Sequence, residues 1–156
     1  MTPQRFVSTV VTASRGRVVV PLTFDPDAVW GAKQVHRVGG TVGGHRVRAA
    51  VEPFDGGHAI ALGPAWLRDR AVAVGQTVDV ALEPEGPQRA DLADDLAAAL
   101  AAEPAAGAFF DSLAQFYQRA YLRWIDGTTR RPELRAQRIA QVVEWLAAGI
   151  KQRPKP

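Results

Sequence analysis

An α+β protein is predicted by three observations. The first 86 residues are rich in Val and Gly, with short apolar runs bounded by turn residues. The apolar period changes from two to about 3.6 across E83-P-E-G-P-Q88. The remainder is Ala-rich and carries aromatic residues at helical spacing. The expected organisation is a small β domain over residues 1–86 followed by a helical module over residues 87–156. A chain of 156 residues with 47% hydrophobic and 22% charged residues is ordinary for one folded domain or two small ones.

The strands follow in order. F6-V-S-T-V-V-T12 is a first strand segment, S14-R-G-R17 a Gly-containing turn, and V18-V-V-P-L22 its expected hairpin partner. Pro21 marks an edge or a strand end, because it has no N–H for a ladder. D25-P-D-A-V-W-G31 reads as one short helix, with Asp25 as N-cap, Pro26 in the first helical position and Gly31 as the left-handed exit. V35-H-R-V-G-G-T-V42 and H45-R-V-R-A-A-V51 flank G43-G44, a pair suited to a type I′ turn. F54-D-G-G57 then turns into H58-A-I-A-L62. Pro64 opens a second short helix with Trp66, Leu67 and Val72 inward, and Gly75 ends the turn. In T77-V-D-V-A-L-E83 the residues Val78, Val80 and Leu82 share one face, as in a strand packed on one side.

The helices come after the Pro and Gly boundary. Asp91 is the expected cap of a helix carrying Leu92, Leu96 and Leu100, and Glu103-Pro104 resets the chain. A longer region from Pro104 carries Phe109, Phe110, Leu113, Phe116, Tyr117, Tyr121, Trp124 and Ile125, with a break near Ala114. Pro132 starts the last helix, with Leu134, Ile139, Val142, Val143 and Leu146 inward and Gly149 as its stop.

Two parts of the chain resemble known families. The pattern V20-P-L, V29-W-G, G40-T-V-G-G, G56-G-H-A-I-A-L-G-P and V74-G-Q-T-V-D-V is similar to the DUF1905 domain, which implies a small barrel of the double-split kind. Gln76 departs from it, at a position where such turns often carry Asp. The pattern A105-A-G-A-F-F-D-S-L, Y121-L-R-W-I, R131-P-E-L-R-A-Q-R-I and V143-E-W-L-A-A-G149 resembles the YdeI/OmpD-associated, or bacteriocin-protection, helical module. Here T128-T-R-R-P-E-L-R departs from the usual wording. The resemblance implies a bacterial family linked by name to protection from bacteriocins and to a porin, and it implies no established chemistry.

The order strand, Pro, short helix, Gly, strand occurs twice, from Val18 to Val38 and from Ala59 to Val80. It also resembles the AbrB-like regulators, in which one such unit per chain is completed by a partner. Both units stand in this chain as a pseudo-repeat, so the barrel is expected to close within one chain as a monomer.

Chemistry is narrowly bounded. No cysteine is present, which removes disulfides and thiolate nucleophiles. The only histidines, His36, His45 and His58, lack a helical i, i+4 pair, so no metal is expected. Ser8, Ser14 and Ser112 lack a nucleophile elbow. The Gly pairs at 39–44 and 56–57 are read as hairpin turns, since no helix follows them to hold a phosphate. No acid–base pair stands out, so no enzyme and no cofactor are expected.

The net charge is +3 and the pI about 9.8, yet nine basic and eight acidic residues share the first 86 positions. That near balance offers few phosphate contacts, and sequence-specific nucleic-acid binding is not expected. The N-terminus has no basic region followed by an apolar core, and no apolar run is long enough for a membrane span; a cytoplasmic protein is expected.

What remains is binding, with an acidic ligand or protein partner of unknown identity. Trp30, His58 and Trp66 are candidates in the barrel, although core packing is the simpler role for the indoles. Arg119, Arg123, Arg131, Arg135 and Arg138 are candidates in the helices, converging where the last two helices face each other. A solvated, salt-bridged helix face is favoured there over a ligand site. A non-catalytic binding or protection role of the YdeI/OmpD-associated type is the preferred function, and an AbrB-like nucleic-acid-binding regulator the alternative.

Overall fold

The structure is a computed structural model that describes residues 3–128 and 130–155. The chain divides into two compact units, residues 1–85 and residues 86–156. The first holds strands β1 (Gln4–Thr9), β2 (Val11–Thr12), β3 (Val18–Pro21), β4 (Arg37–Val42), β5 (His45–Phe54), β6 (Gly57–Leu62) and β7 (Thr77–Pro84), with helices α1 (Pro26–Trp30) and α2 (Pro64–Arg70). The second holds α3 (Asp94–Ala102), α4 (Pro104–Ser112), α5 (Gln115–Asp126) and α6 (Pro132–Ala147).

The seven strands form one antiparallel sheet in the order β1-β7-β4-β5-β6-β3-β2, curled into a nearly closed barrel. Two chain segments turn the corners. β5 pairs with β4 through its first half, His45 to Ala50, and with β6 through its second, Val51 to Phe54. β1 runs along β7, and the chain then bends at Val10 so that Val11 and Thr12 join β3. Phe6 to Thr9 therefore do not pair with Val18 to Leu22 as the local pattern suggested; only Val11 and Thr12 do. A hairpin signal reports sequence proximity, whereas β7 offers a longer apolar ladder to β1. Val10 is fully buried at the bend, its N–H donating to Gln76 and its carbonyl accepting from Gly75.

Gly43 and Gly44 close the β4–β5 hairpin with φ of 57° and 81°, the two left-handed residues that a type I′ turn requires. Gly39 and Gly40 lie inside β4, within the segment from Val35 to Val42 that flanks this turn. A side chain at Gly40 would meet the Ala81 carbonyl of β7, since its Cβ would fall 1.9 Å from that oxygen. Core positions alternate with exposed ones on β7, where Val78, Val80 and Leu82 are buried and Thr77, Asp79 and Glu83 are exposed. Val20, Trp30, Val38, Val42 and Ile60 complete the barrel core.

In the second unit α6 is central and packs against α3, α4 and α5. Phe110, Tyr121, Ile125, Ile139, Val142 and Leu146 form its core with Leu96 and Leu100. The helical run from Pro104 breaks at Leu113 and Ala114, both extended, and α5 starts afresh at Gln115. Asp91 does not cap α3. Its carboxylate accepts from the Gln88 N–H and closes a 3-10 turn over Arg89–Asp91, while Ala93 precedes the first turn of α3. Asp94 and Asp95 then place the negative charge that a helix N-terminus favours. Among the described residues no helix is long and apolar enough to cross a membrane.

Candidate binding surface

The first helix of the barrel unit is built around two carboxylates. Asp25 caps it by accepting from the Asp27 N–H at 3.0 Å. Asp27 accepts from the Lys33 N–H at 3.3 Å and from the His36 ring at 2.5 Å, which ties the loop after α1 to the start of β4. An ionised carboxylate has only acceptors, so the imidazole Nε2 donates. His36 is buried against Trp30, with ring centroids 6.2 Å apart. The hydrogen bond from His36, and then that from Lys33, holds the Asp27 carboxyl below its usual range.

A carboxyl held low stabilises the folded state above its unfolded value of about 3.9, and that stabilisation is lost as pH falls through the lower folded value. Asp27→Asn should therefore lower the melting temperature at neutral pH and flatten its decline in acid. A melting curve measured against pH that keeps the parental acid limb would remove this role for Asp27.

The candidate barrel residues do not assemble into one site. Trp30 is 4% exposed and lies edge-on to Phe24, with centroids 5.1 Å apart, so its ring belongs to the core. Its buried Nε1 has no hydrogen-bond partner among the described residues, at a general cost of about 1–3 kcal/mol that the packing of a large ring offsets. Trp66 is half-buried on α2; its Nε1 donates to the Arg46 carbonyl at 2.7 Å and Arg70 lies over its ring at 5.3 Å. His58 is half-buried on β6 beside a shallow cavity of about 360 Å³ that Leu22 and Phe54 also line. The main-chain carbonyl of His58 accepts a hydrogen bond from the Leu22 N–H. Among the described residues no group of three or more His, Cys, Asp or Glu side chains is placed to hold a metal ion.

The candidate arginines divide into two kinds. Arg135 is not a solvated cation: its side chain is 15% exposed and grips Asp95 at 2.6 and 3.0 Å and Asp126 at 3.1 Å. Its guanidinium is held more firmly protonated, first by Asp95, while Asp95 is held below its usual range by the same contact. Arg138 donates to the Trp124 carbonyl at 2.6 Å and lies 4.6 Å over the Trp124 ring, so it joins α6 to α5. The fork geometry of a guanidinium allows these multiple bonds, a feature helical spacing does not report.

Arg119, Arg123 and Arg131 are exposed. Arg131 precedes α6, its N–H donating to Thr128 and its carbonyl accepting from Arg135, so its main chain is structural. Arg119 reaches Gln115 at 3.4 Å. With 3.6 residues per turn, Phe116 and Arg123 share the outermost line of α5, Arg119 flanks it on one side, and Tyr117 and Trp124 flank it on the other. Phe116 is 67% exposed and meets Tyr117 edge-on at 5.2 Å.

The chain after Gly149 adds cations to the same side. The Tyr121 hydroxyl donates to the Ile150 carbonyl at 2.7 Å. Beyond it Lys151 lies 5.0 Å over Tyr117 and Arg153 lies 5.0 Å over Trp124. Phe116 belongs by spacing to the aromatic series that fills the core yet points outward, and Lys151 and Arg153 lie outside the candidate set. No periodicity links residues 151–153 to residues 117–124; only the return of the chain after α6 does. α5 holds no carboxylate before Asp126, and Asp126 is engaged by Arg135. The result is an outward surface of cations laid on aromatic rings, able to attract and orient anionic groups.

Residues 6–82 match the family model described as a domain of unknown function, DUF1905. Residues 89–149 match the model described as bacteriocin-protection, YdeI or OmpD-associated. A search of curated proteins gives no match.

Proposed function

For a chain that joins a DUF1905-type domain to one of the bacteriocin-protection, YdeI or OmpD-associated type, we propose a non-catalytic binding or protection role in which the helical unit holds an acidic ligand or partner. One observation carries this reading: among the described residues Lys151 and Arg153 rest on aromatic rings rather than on carboxylates, beside the exposed Arg119 and Arg123. Their charge is positioned and left open to an outside anion. The barrel supports a scaffold role, since its best-placed titratable pair, Asp27 with His36, ties a loop to a strand.

The same reading takes the barrel as double-split, with two AbrB-like halves in one chain. In support, β3-α1-β4 and β6-α2-β7 are both strand–helix–strand units, and the two are joined by antiparallel β3–β6 and β4–β7 pairs. A nucleic-acid-binding regulator is the second reading, favoured by that arrangement. Against it, Arg17 pairs with Glu52 and Arg48 with Glu85 in the barrel unit, which lowers the charge left for phosphates.

Poly-L-glutamate separates the two. We expect salt-sensitive binding that Arg119→Glu with Arg123→Glu abolishes, a folded species at the mass of one chain, and duplex binding no tighter than about 10⁻⁴ to 10⁻⁶ M at physiological salt. Nanomolar binding of one duplex sequence by an obligate dimer would overturn both the scaffold and the monomer readings.

A further inference from the structure

The outward face of α5 shows more than charge. We propose that it docks on a lipid bilayer bearing anionic headgroups, with Phe116 entering the headgroup region and Arg119, Arg123, Lys151 and Arg153 pairing with phosphates. The inference rests on the binding role proposed above and names its ligand class.

Four features point to a lipid surface. Phe116 is the most exposed of the large apolar residues exposed among those described, and it stands on the crest of a helix rather than in a recess. A single projecting aromatic ring enters a soft apolar layer without any matching pocket in the partner. The same side of α5 carries residue types that lie at a membrane interface: Tyr117 meets the Phe116 ring edge-on, Trp124 follows about two turns further along, and a cation lies over each. The segments that carry these cations, α5 up to Ile125 and residues 149–155, contain no acid.

Single-stranded nucleic acid fits less well. Successive bases need several free aromatic faces for stacking, and next to the open Phe116 the other rings are covered, Trp124 by Arg138 and Arg153 and Tyr117 by Lys151. An acidic peptide would use the cations but leave Phe116 without an apolar partner of its own.

Co-sedimentation of the full chain with vesicles tests the proposal, using phosphatidylcholine alone and phosphatidylcholine mixed with phosphatidylglycerol. Binding to the mixed vesicles, weak or absent on phosphatidylcholine alone, is expected. Near a charged surface each cation contributes enough that Arg119→Glu with Arg123→Glu should weaken binding at least about thirtyfold. Phe116→Ser should weaken it about tenfold, which a purely electrostatic contact would not do. Both variants change exposed side chains, and their melting temperatures should match the parent's. Equal binding to both vesicle types, or insensitivity to Phe116→Ser, overturns the bilayer proposal. Binding to poly-L-glutamate without binding to mixed vesicles overturns it too and leaves the acidic-partner role standing. Failure with both probes overturns the two together.

Discussion

Replacing Gly40 by alanine should destabilise the barrel by roughly 2–6 kcal/mol, the sum of overpacking and of a positive φ on a residue with a side chain. Gly40 has φ of 155° and sits in the middle of β4, paired with Val47 on one side and Leu82 on the other. Its missing Cβ is what allows β7 to approach, because the added carbon would lie 1.9 Å from the Ala81 carbonyl oxygen and 2.8 Å from its carbon. Both atoms are backbone, so neither swings aside; the β4–β7 ladder itself would have to part. Such a loss is a large share of the roughly 5–15 kcal/mol that holds a typical domain folded.

Gly44→Ala is the control. Gly44 also has positive φ, 81°, but nothing lies within 4 Å of its Cβ direction, so only the backbone cost of roughly 1–2 kcal/mol applies. Urea midpoints for the two variants decide the matter, and equal midpoints would show that β4 does not need the close approach.

Arg135→Ala should cost the helical unit about 1–3 kcal/mol, and Arg119→Ala less than about 0.5 kcal/mol. Arg135 joins α6 to Asp95 on α3 and to Asp126 at the end of α5, so one guanidinium pins three helices. The estimate is held below that of a buried pair because the Asp95 and Asp126 side chains are 49% and 64% exposed and water screens them. The contact also carries a pH signature. Asp95 is held below its usual range chiefly by Arg135, so its contribution is present above the unfolded value near 3.9 and lost as pH falls through the lower folded value.

Arg135→Ala should therefore lower stability at neutral pH and bring variant and parent together in acid. Denaturation midpoints measured at both pH values check it, and an unchanged midpoint at neutral pH would return Arg135 to the solvated face that helical spacing suggested for it.

The sequence by itself determined the local chemistry of this chain. Asp25 with Pro26, the Gly43-Gly44 turn, the alternation along β7 and the stop at Gly149 depend on neighbours within a few positions, and the structure uses each of them in that sense. Turn geometry, caps and side-chain period are short-range properties, so they are legible before anything is packed. Only the tertiary structure decided what depends on distant partners. It split the first segment between β7 and β3, brought the Ala81 backbone of β7 against Gly40, and separated Arg135 and Arg138 from Arg119 and Arg123, although all four share the same helical signal. It also laid Lys151 and Arg153 across α5 and left Phe116 outside. The physical reason is that a ladder, an ion pair or a cation on a ring forms between residues far apart in sequence. Periodicity places a side chain on a face of its own element, and the partner that covers or exposes that face is chosen by how the elements pack.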